Sequence, residues 1–291
     1  MIERLVIVNP AARGGRSAEA EAVAACRAAG IEPRVIRTTA PGHAGTIARA
    51  ESNGAPIFVL GGDGTVMEVV GALVGRDVTV GILPGGTGNQ LARVLGIPLH
   101  VGRAARALAT AKPMRMDLAR LSDGRHFSIA AGVGVDAAMI AGASTAAKRR
   151  FGVGAYIWSA TLALLKARPF PVRIVADGRV IEREAGLAMI ANVGAFMNGR
   201  FSLGPGIRPD DGWLDLCVLS PRGIADGLGL AARMTAGRFS EDSRMMFVRA
   251  KSIRVEAPEG VLSEADGELL PHSTIDATVA PQAALFLGVH Q

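Results

Sequence analysis

The sequence predicts an α/β protein, in which an N-terminal α/β domain with a parallel sheet precedes a C-terminal β-sandwich domain. In the first third of the chain, short apolar runs alternate with helix-prone segments, which is the pattern of parallel strands joined by helical crossovers. Beyond Asp117, apolar runs follow one another with few helical segments between them, which indicates a β-rich half. The 291 residues suit two domains of ordinary size, and we place the boundary between them near residue 120.

The N-terminal domain is predicted to contain four strands, each followed by a helix. The strands are short and mostly unbroken apolar runs, as expected for a sheet covered on both faces, at residues 5–8, 33–37, 56–60 and 78–83. The helices are predicted at residues 18–29 and 44–52, and from about residue 66 and about residue 90 onward. Each of the last two helices follows a glycine-rich turn.

The C-terminal half is predicted to consist mainly of strands. Their apolar segments lie at residues 127–130, 172–176, 187–191, 214–219, 252–256 and 274–279. Helical segments interrupt them only at residues 156–166 and 224–235. This succession favours a sandwich of sheets over further strand-helix units.

Composition and charge exclude several classes of protein. Lysine and arginine outnumber acidic residues by 32 to 26, and the net charge of +6 favours anionic partners such as nucleotides or acidic lipid. Aromatic residues make up only 4%, which argues against a nucleic-acid binder that stacks bases on aromatic rings. The two cysteines, Cys26 and Cys217, supply neither a disulfide framework nor a zinc spacing and suit a cytoplasmic protein. The longest apolar stretch, residues 151–165, is shorter than the roughly 20 residues of a membrane-spanning helix.

The sharpest local feature is the turn Gly61-Gly62-Asp63-Gly64-Thr65, which joins a predicted strand to a predicted helix. Glycines leave no side chain between the backbone amides and a ligand, and the helix N-terminus presents unpaired N–H groups, so the turn suits a phosphate. The Asp63 carboxylate is compatible with a phosphate when Mg2+ or water lies between them, or when it caps the helix. A plain strand-to-helix turn with an Asp or Thr cap is the alternative.

A second glycine turn, Pro84-Gly85-Gly86-Thr87-Gly88-Asn89, follows the next predicted strand. Thr87 can donate its hydroxyl to a phosphate, or it can cap the helix that begins at Gln90. After the first strand, the loop at residues 9–16 adds an amide and two arginines, which suit phosphate or remain solvated loop charges. Because the carboxyl ends of parallel strands meet at one sheet edge, these three loops together predict a nucleotide-phosphate site.

The glycine turns are neither a Walker A loop, which needs a following Gly-Lys-Ser/Thr, nor a GxGxxG dinucleotide fingerprint. Three segments instead resemble the diacylglycerol kinase catalytic domain: NPAARGG, GGDGTVMEVV and GILPGGTGNQLAR. The nearest relatives by this resemblance are the bacterial soluble lipid kinases, in a group that includes sphingosine and ceramide kinases. NAD kinases and phosphofructokinases have loops similar to GGDGT, so the second turn and the C-terminal motifs make the resemblance more specific.

The resemblance implies a two-domain kinase of the NAD kinase and diacylglycerol kinase type. It places an ATP-binding domain at residues 1–120, a β-rich lipid-cleft domain at 121–283, and a final strand within 284–291 that returns to the first domain. By the same resemblance, ATP contacts residues on or near the loops: Asn9, Thr38, Gly61, Gly62, Asp63, Gly64, Thr65, Val66, Met67, Glu68 and Thr87. The chain departs from the family at Met67, where Asn is usual, and at Gln90, where Asp is usual.

A metal site is implied by the segment that ends in Asp210-Asp211-Gly212, which is similar to the Asp-Asp-Gly turn of the family. By this resemblance, the Asp211 carboxylate binds a structural Mg2+ together with the backbone carbonyls of Arg208 and Trp213. Oxygen ligands in a turn are those that Mg2+ prefers. Without the resemblance, this segment is an ordinary hairpin turn.

The catalytic base is implied by the segment Asp266-Gly267-Glu268, which matches a family segment that closes over ATP. Kinase chemistry needs a carboxylate that accepts the proton of the substrate hydroxyl, and the resemblance leaves Asp266 and Glu268 as candidates. Asp117 lies where the family often has an acid near the metal. Without the resemblance, the segment is a surface loop.

On this resemblance, we expect an ATP- and Mg2+-dependent lipid kinase that phosphorylates a hydroxyl of a diacylglycerol-like or sphingoid lipid, as a step of phospholipid biosynthesis. Its expected partners are the lipid substrate and an anionic membrane surface, with no nucleic acid, and a homodimer is left open. The expected location is the cytoplasm, peripheral at the inner membrane face. Residues 151–165, with the basic residues 148–150 before them, would cover an acyl chain or touch the leaflet, or form a core helix. An NAD kinase-like enzyme, and a non-catalytic nucleotide or lipid sensor suggested by Met67 and Gln90, are the alternatives.

Overall fold

The computed structural model describes residues 2–134, 169–196, 201–239 and 242–289. The predicted helix at 156–166, the apolar segment 151–165 with its basic flank, and residues 198–200 of the Asp-Asp-Gly segment lie outside the described residues. Contacts divide the chain into two compact units, Met1–Met116 with Gln282–Gln291, and Asp117–Pro281. The predicted boundaries lie after residues 120 and 283.

Helices and strands alternate in the first unit, whereas strands dominate the second. The helices of the described residues are α1 (Gly15–Ala28), α2 (His43–Glu51), α3 (Asp63–Leu73), α4 (Gln90–Val94), α5 (Val101–Leu108) and α6 (Ile224–Thr235). The first strands are β1 (Ile2–Val8), β2 (Ile31–Arg37), β3 (Ile57–Gly61), β4 (Val80–Pro84), β5 (Lys112–Leu121), β6 (His126–Phe127), β7 (Ala130–Gly134), β8 (Phe170–Ala176) and β9 (Arg179–Ala185). The others are β10 (Leu187–Ala191), β11 (Ala195–Phe196), β12 (Phe201–Ser202), β13 (Leu214–Leu219), β14 (Met245–Ala250), β15 (Ser252–Glu256), β16 (Ser263–Ala265), β17 (Glu268–Leu269) and β18 (Thr274–Gly288). None of the helices in the described ranges has the length and apolar character needed to cross a membrane.

The first unit contains a parallel sheet with the strand order β2-β1-β3-β4. The C-terminal part of β18 extends it, because Phe286 pairs in parallel with Val80 of β4. Strands β3 and β4 are buried at every residue, as their unbroken apolar sequences predict. The strand order reverses between β1 and β3, which creates a topological switch point there. The predicted parallel α/β fold is confirmed.

The second unit is a sandwich of two antiparallel sheets. One sheet has the strand order β14-β13-β10-β7-β16-β17, and the other contains the N-terminal part of β18 followed by β15, β8 and β9. Inward-facing side chains of both sheets form one apolar core, in which Ile190, Leu216 and Ile253 are fully buried. The predicted C-terminal β-sandwich is confirmed.

Three of the predicted strands differ in continuity from the strands of the structure. The predicted strand at 127–130 is interrupted between Phe127 and Ala130, because the N–H groups of Ser128 and Ile129 donate to a carboxylate instead of a neighbouring strand. The predicted strands at 274–279 and 284–289 are parts of one long strand, β18. Within it, Gln282 has the left-handed backbone conformation, with φ of 51°.

Candidate functional site

The predicted nucleotide-contact residues of the first unit lie at the carboxyl ends of its parallel strands. Asn9 follows β1, Thr38 follows β2, Gly61 ends β3, and Thr87 lies in the turn after β4. The structure therefore brings these loops to one edge of the sheet, beside the switch point between β1 and β3, where open α/β sheets bind ligands. Thr38 is half-buried there and Thr87 is exposed.

Main-chain hydrogen bonds fasten the three loops to one another. The N–H of Asn9 donates to the carbonyl of Leu60 at 2.9 Å, and the N–H of Gly85 donates to the carbonyl of Gly61 at 2.8 Å. The N–H of Arg13 in the first loop donates to the carbonyl of Gly85 at 2.6 Å. The loops after β1, β3 and β4 therefore hold each other in place.

The Asn9 side chain adds a polar bridge between the first loop and α3. Its Nδ2 donates to Oγ1 of Thr65 at 2.8 Å, and its Oδ1 accepts from the N–H of Ala11 at 2.9 Å. Because the Thr65 hydroxyl is the acceptor in the first bond, its own proton remains available for another acceptor. Asn9 thus positions the loop, and its direct contact with a nucleotide stays a prediction.

Glycine is required where the two glycine turns approach each other. A Cβ atom on Gly86 would lie 2.6 Å from the Cα atom of Gly62, which is closer than packed atoms allow. Gly62 has an ordinary extended backbone, with φ of −89°. Close packing of the two turns, rather than an unusual backbone angle, is therefore the reason for glycine at these two positions.

The N-terminus of α3 provides the main-chain donors of the site. The N–H of Val66 makes the first intrahelical bond, to the carbonyl of Gly62 at 3.1 Å. The N–H groups of Asp63, Gly64 and Thr65 precede that bond and have no main-chain partner among the described residues. No side chain of the described ranges caps α3. Together with the helix dipole, these N–H groups form a site suited to a phosphate.

The two carboxylates of α3 cap neighbouring helices rather than their own. Oδ1 of Asp63 accepts from the N–H of Leu91 in α4 at 3.1 Å, and Oε2 of Glu68 accepts from the N–H of Ala44 in α2 at 3.2 Å. Each bond satisfies an N–H group of a first helical turn, which has no partner within its own helix. Asp63 and Glu68 therefore hold the helices around the predicted phosphate site, and their contact with a nucleotide stays a prediction.

The remaining predicted contacts on α3 differ in exposure. Val66 is buried in the core, so only its backbone is available to a ligand. Met67 is half-buried, and so is Gln90 at the start of α4. The structure places both departures from the family pattern on helices that begin at the two glycine turns.

In the second unit, Asp266 and Gly267 form the two-residue turn between β16 and β17. Both residues have positive φ, 47° and 86°, as a type I′ hairpin turn requires. Oδ2 of Asp266 accepts from the N–H and the hydroxyl of Ser128 at 2.7 and 2.9 Å, and Oδ1 accepts from the N–H groups of Ile129 and Ala130 at 2.9 and 3.2 Å. Burial raises the pKa of Asp266, and these donors oppose that rise. Asp266 is therefore an anchor of the hairpin rather than part of a plain surface loop.

The two predicted bases have different surroundings. Glu268 begins β17, is exposed, and forms no hydrogen bond or ion pair with its side chain among the described residues. The neighbouring acid Glu264 is buried, and its Oε2 accepts from the N–H of Gly267 at 2.8 Å. All four acceptor positions of the Asp266 carboxylate are used, whereas those of Glu268 have no donor within the described part of the chain and can receive a proton.

The predicted metal turn lies directly before β13. Oδ1 of Asp211 accepts from the N–H of Trp213 at 3.1 Å, and Oδ2 lies 3.3 Å from the Arg249 guanidinium, which also pairs with Asp215 at 3.0 Å. The Arg208 side chain pairs with Asp210 at 3.1 Å. The turn is thus held by ion pairs on both sides.

These residues fit Mg2+ by the chemistry of their donors. The Asp211 carboxylate and the carbonyls of Arg208 and Trp213 are oxygen ligands from a single turn, and Mg2+ accepts few protein ligands and fills its other positions with water. Arg249 is the cation that competes for Asp211. Within the described ranges, no group of three Asp, Glu, His or Cys side chains offers another metal site.

Sequence reasoning missed two buried polar residues near these turns, Ser128 and Asn192. The Asn192 amide donates to the carbonyls of Asp117 and Ser128 at 2.8 and 2.9 Å, and Oδ2 of Asp117 accepts from the N–H of Gly212 at 2.6 Å. Ser128, Asn192 and Asp117 are all fully buried. The available signal was a polar residue directly after the apolar strand 187–191, and a serine within the apolar run 127–130.

Sequence models of two families match the chain. The diacylglycerol kinase catalytic domain matches residues 3–121. The YegS C-terminal NAD kinase beta sandwich-like domain matches residues 128–288. The first match contains the three loops of the predicted phosphate site, and the second contains the Asp-Asp-Gly and Asp-Gly-Glu turns.

Several curated proteins are similar to the chain. A protein of Pseudomonas aeruginosa (strain PAO1) named "Probable lipid kinase YegS-like" is 32% identical over 294 residues, which cover 99% of this chain and 94% of that protein. "Diacylglycerol kinase" of Bacillus subtilis (strain 168) is 29% identical, over 73% of this chain and 70% of that one. "Uncharacterized protein sll0036" of Synechocystis is 28% identical over 78% of this chain, which spans 53% of that longer protein.

Two solved structures are also similar to the chain. A crystal structure of a diacylglycerol kinase from Bacillus anthracis str. Sterne has a TM-score of 0.75 and 26% identity, covering 98% of this chain and 96% of that chain. Another crystal structure from that strain has a TM-score of 0.82 and 28% identity, covering 98% and 95%. The chain therefore belongs to the diacylglycerol kinase family of lipid kinases, and it is a kinase with a diacylglycerol kinase catalytic domain and a YegS-type sandwich domain.

Proposed function

We propose that the chain transfers the γ-phosphoryl group of ATP to a hydroxyl group of a lipid of the diacylglycerol or sphingoid class. The observation that carries this proposal is the set of N–H groups at the start of α3 that have no main-chain partner within the part of the chain that the structure describes. Two interlocked glycine turns hold these groups at the carboxyl edge of a parallel sheet. The names of the relatives, diacylglycerol kinase and YegS-like lipid kinase, support a lipid as the acceptor.

The nucleotide phosphates bind to the first unit in this proposal. The N–H groups of Asp63, Gly64 and Thr65 donate to the phosphate oxygens. These hydrogen bonds and the dipole of α3 both stabilise a negatively charged group at this position. Arg13 in the first loop and Arg16 at the start of α1 are exposed and form no ion pair among the described residues, so they can balance phosphate charge. The Mg2+ that accompanies ATP, as distinct from the structural ion predicted at Asp211, would supply further charge neutralisation for the transferring phosphoryl group.

We assign the role of proton acceptor to Glu268. The lipid hydroxyl oxygen forms a bond to the γ-phosphorus, the bond from that phosphorus to the β–γ bridging oxygen breaks, and ADP leaves with the oxygen. The hydroxyl proton passes to a carboxylate with a free acceptor position. Glu268 is exposed and unpaired among the described residues, whereas the Asp266 carboxylate already accepts hydrogen bonds from the segment 128–130.

The direct test is phosphoryl transfer from radiolabelled ATP to a panel of lipids. Pure protein supplied with Mg2+ is offered diacylglycerol, sphingosine and ceramide in detergent micelles, and at least one labelled lipid phosphate is expected. The Glu268→Gln variant is expected to lose about 10²- to 10⁴-fold in kcat while it still binds ATP in a calorimeter. Glu259→Gln, which alters another exposed glutamate of the second unit, is the matched control and should keep wild-type turnover.

Four outcomes would contradict parts of this proposal. The absence of every lipid phosphate would count against a lipid kinase, and NADP formation from NAD in a parallel assay would favour an NAD kinase-like activity instead. ATP binding without transfer to any acceptor would favour a nucleotide sensor. Full activity of Glu268→Gln would remove Glu268 as the base and return the role to Asp266.

The proposed substrate also implies contact with a membrane. A diacylglycerol-like lipid resides in a bilayer, and the net charge of +6 favours an anionic leaflet, so we propose peripheral association at the cytoplasmic face. Sedimentation with vesicles that contain phosphatidylglycerol, compared with vesicles of phosphatidylcholine alone, tests this part. Equal binding to both vesicle types would remove the electrostatic argument.

A further inference from the structure

A continuous chain of hydrogen bonds joins the Asp266-Gly267 turn to the Asp211-Gly212 turn within the second unit. The Asp266 carboxylate binds the N–H groups of residues 128–130. The carbonyl of Ser128 accepts from Asn192, which also donates to the carbonyl of Asp117. Asp117 in turn accepts from the N–H of Gly212 and donates its own N–H to the carbonyl of Pro209 at 2.6 Å.

Asn192 is the central side chain of this set of hydrogen bonds. It lies directly after β10, is fully buried, and uses both N–H groups of its amide on two different segments of the chain. Its Nδ2 cannot be exchanged with Oδ1, because both neighbours are carbonyl oxygens that need a donor. The orientation of the amide is therefore set by its surroundings.

The other end of the amide is not satisfied. Oδ1 of Asn192 is buried and has no hydrogen-bond partner among the described residues. A buried acceptor without a hydrogen bond lowers the stability of the fold. If this position served packing alone, an apolar side chain of similar size, such as leucine, would therefore give a more stable protein. What an apolar side chain could not do is hold the carbonyls of Asp117 and Ser128 together.

We propose that Asn192 is a positioning residue for phosphoryl transfer. By holding Ser128, it fixes the row of N–H groups at 128–130 that binds Asp266, and Asp266 in turn fixes the hairpin that carries Glu268. Loss of the Asn192 donors frees the carbonyl of Ser128, loosens this row, and moves Glu268 away from the position where it accepts the proton. This inference rests on the proposed function, because it assumes that Glu268 is the base.

The first arm of the test is amide hydrogen exchange, which does not depend on activity. In Asn192→Leu, the amides of residues 128–130 are expected to exchange about tenfold faster than in the wild type, because their bonds to Asp266 open more often. The amide of Leu216 in β13, on the other side of β10, is expected to keep its protection. Faster exchange spread equally over both regions would indicate a general loss of stability and would overturn the positioning role.

The second arm is steady-state kinetics with the lipid that the wild type phosphorylates. Asn192→Leu is expected to lower kcat about 10- to 100-fold with KM for ATP within about twofold of the wild type, since a small misplacement of a catalytic group affects the chemical step most. Ile190→Val, which trims a core side chain two residues away, is the control for lost stability and should keep kcat.

A milder variant keeps the inference testable if Asn192→Leu does not fold. Ser128→Ala removes one donor from Asp266 and leaves the Asn192 bonds in place, and it is expected to lower kcat in the same direction but less. Unchanged kcat in both variants, from a wild type that is active, would overturn the inference alone. An inactive wild type would instead remove the proposed function and the role of Asn192 with it, while the exchange arm would still report whether the row is held.

Discussion

The Asp63 carboxylate in α3 accepts a hydrogen bond from the N–H of Leu91 in α4, so the acid of the first glycine turn caps the helix that follows the second. The two turns are also joined by the bond from the Gly85 N–H to the Gly61 carbonyl. Side-chain and main-chain bonds therefore make one rigid edge of the two turns. A ligand on this edge meets donors that are already in place, which lowers the cost of binding.

Asp63 is expected to contribute to stability and to nucleotide binding by separable means. Asp63→Ala removes the cap of α4 and should lower the free energy of unfolding by about 1 kcal/mol. Asp63→Asn keeps an oxygen that can accept from Leu91, so it should unfold close to the wild type while it lacks the charge. Urea unfolding measures the first effect, and calorimetric titration with ATP and Mg2+ measures the second.

Equal stability of Asp63→Ala and the wild type would contradict the capping role. If Asp63→Asn binds ATP as the wild type does, the charge of Asp63 takes no part in nucleotide binding, and the residue serves the fold alone.

Gly86→Ala is expected to damage the phosphate site through packing. The added Cβ would lie 2.6 Å from the Cα atom of Gly62, so the two turns must separate, at a cost of about 1–3 kcal/mol. ATP affinity should fall because α3 and the second turn move apart. Thermal unfolding and nucleotide titration measure the two effects.

Gly71→Ala provides the matched control for this prediction. Gly71 lies in α3, and a Cβ atom there would meet no atom of the described residues within 4 Å. Alanine favours a helix over glycine, so this variant should be as stable as the wild type or more stable by up to about 1 kcal/mol, with unchanged ATP binding. Similar losses in both variants would show that any extra methyl group disturbs the unit, and that the close approach of the turns is not special.

The sequence predicted the loops of the site more completely than the partners of their side chains. Strand periodicity places Asn9, Gly61 and Thr87 at one sheet edge, since parallel strands end on the same side. The partners of Asp63 and Glu68 could not be predicted, because they lie on α4 and α2 and depend on how the helices pack. From local sequence alone, each of these carboxylates is expected to cap its own helix. In the structure, tertiary packing places them against the N-termini of α4 and α2 instead.

The second unit shows the same limit. The Asp-Gly pair predicts a tight turn, and the structure has one, but nothing near Asp266 in sequence indicates that its carboxylate binds residues 128–130. The interruption of the predicted strand at Ser128 has this distant cause. Asn192 was missed because a single polar residue after an apolar run has no periodicity to mark it.

Both cysteines are expected to resist thiol reagents in the folded protein. Cys26 and Cys217 are fully buried, and burial raises the pKa of both thiols, that of Cys217 to about 12. Almost no thiolate of Cys217 exists at pH 8, and reagent has no access to it. Reaction with iodoacetamide, followed by mass spectrometry, should label neither residue in buffer. Both residues should be labelled once the protein is unfolded in about 6 M urea. Rapid labelling of Cys217 in the native protein would contradict its burial.

The Asp242–Arg244 ion pair is expected to make stability depend on pH in the acid range. Arg244 donates to both Asp242 oxygens at 2.9 and 2.7 Å and also binds Asp226, while Arg233 lies 3.7 Å from Asp242. The side-chain hydrogen bonds from Arg244, and then its N–H, hold the pKa of Asp242 well below its usual range. A carboxylate with a lowered pKa stabilises the folded state above its unfolded pKa of about 3.9, and this contribution disappears as the pH falls toward the folded value.

Asp242→Asn should therefore be less stable than the wild type at pH 7, by about 1–2 kcal/mol, and the difference should shrink as the pH is lowered from about 4 to about 2. Urea unfolding at a series of pH values measures it. Asp276→Asn is the matched control, because its ion pair with Arg254 is longer, at 3.4 Å, and lies on the surface, where such pairs contribute little. A difference between wild type and Asp242→Asn that stays constant down to about pH 2 would show that the carboxylate acts through packing rather than through its charge, since protonation would then leave its contribution intact.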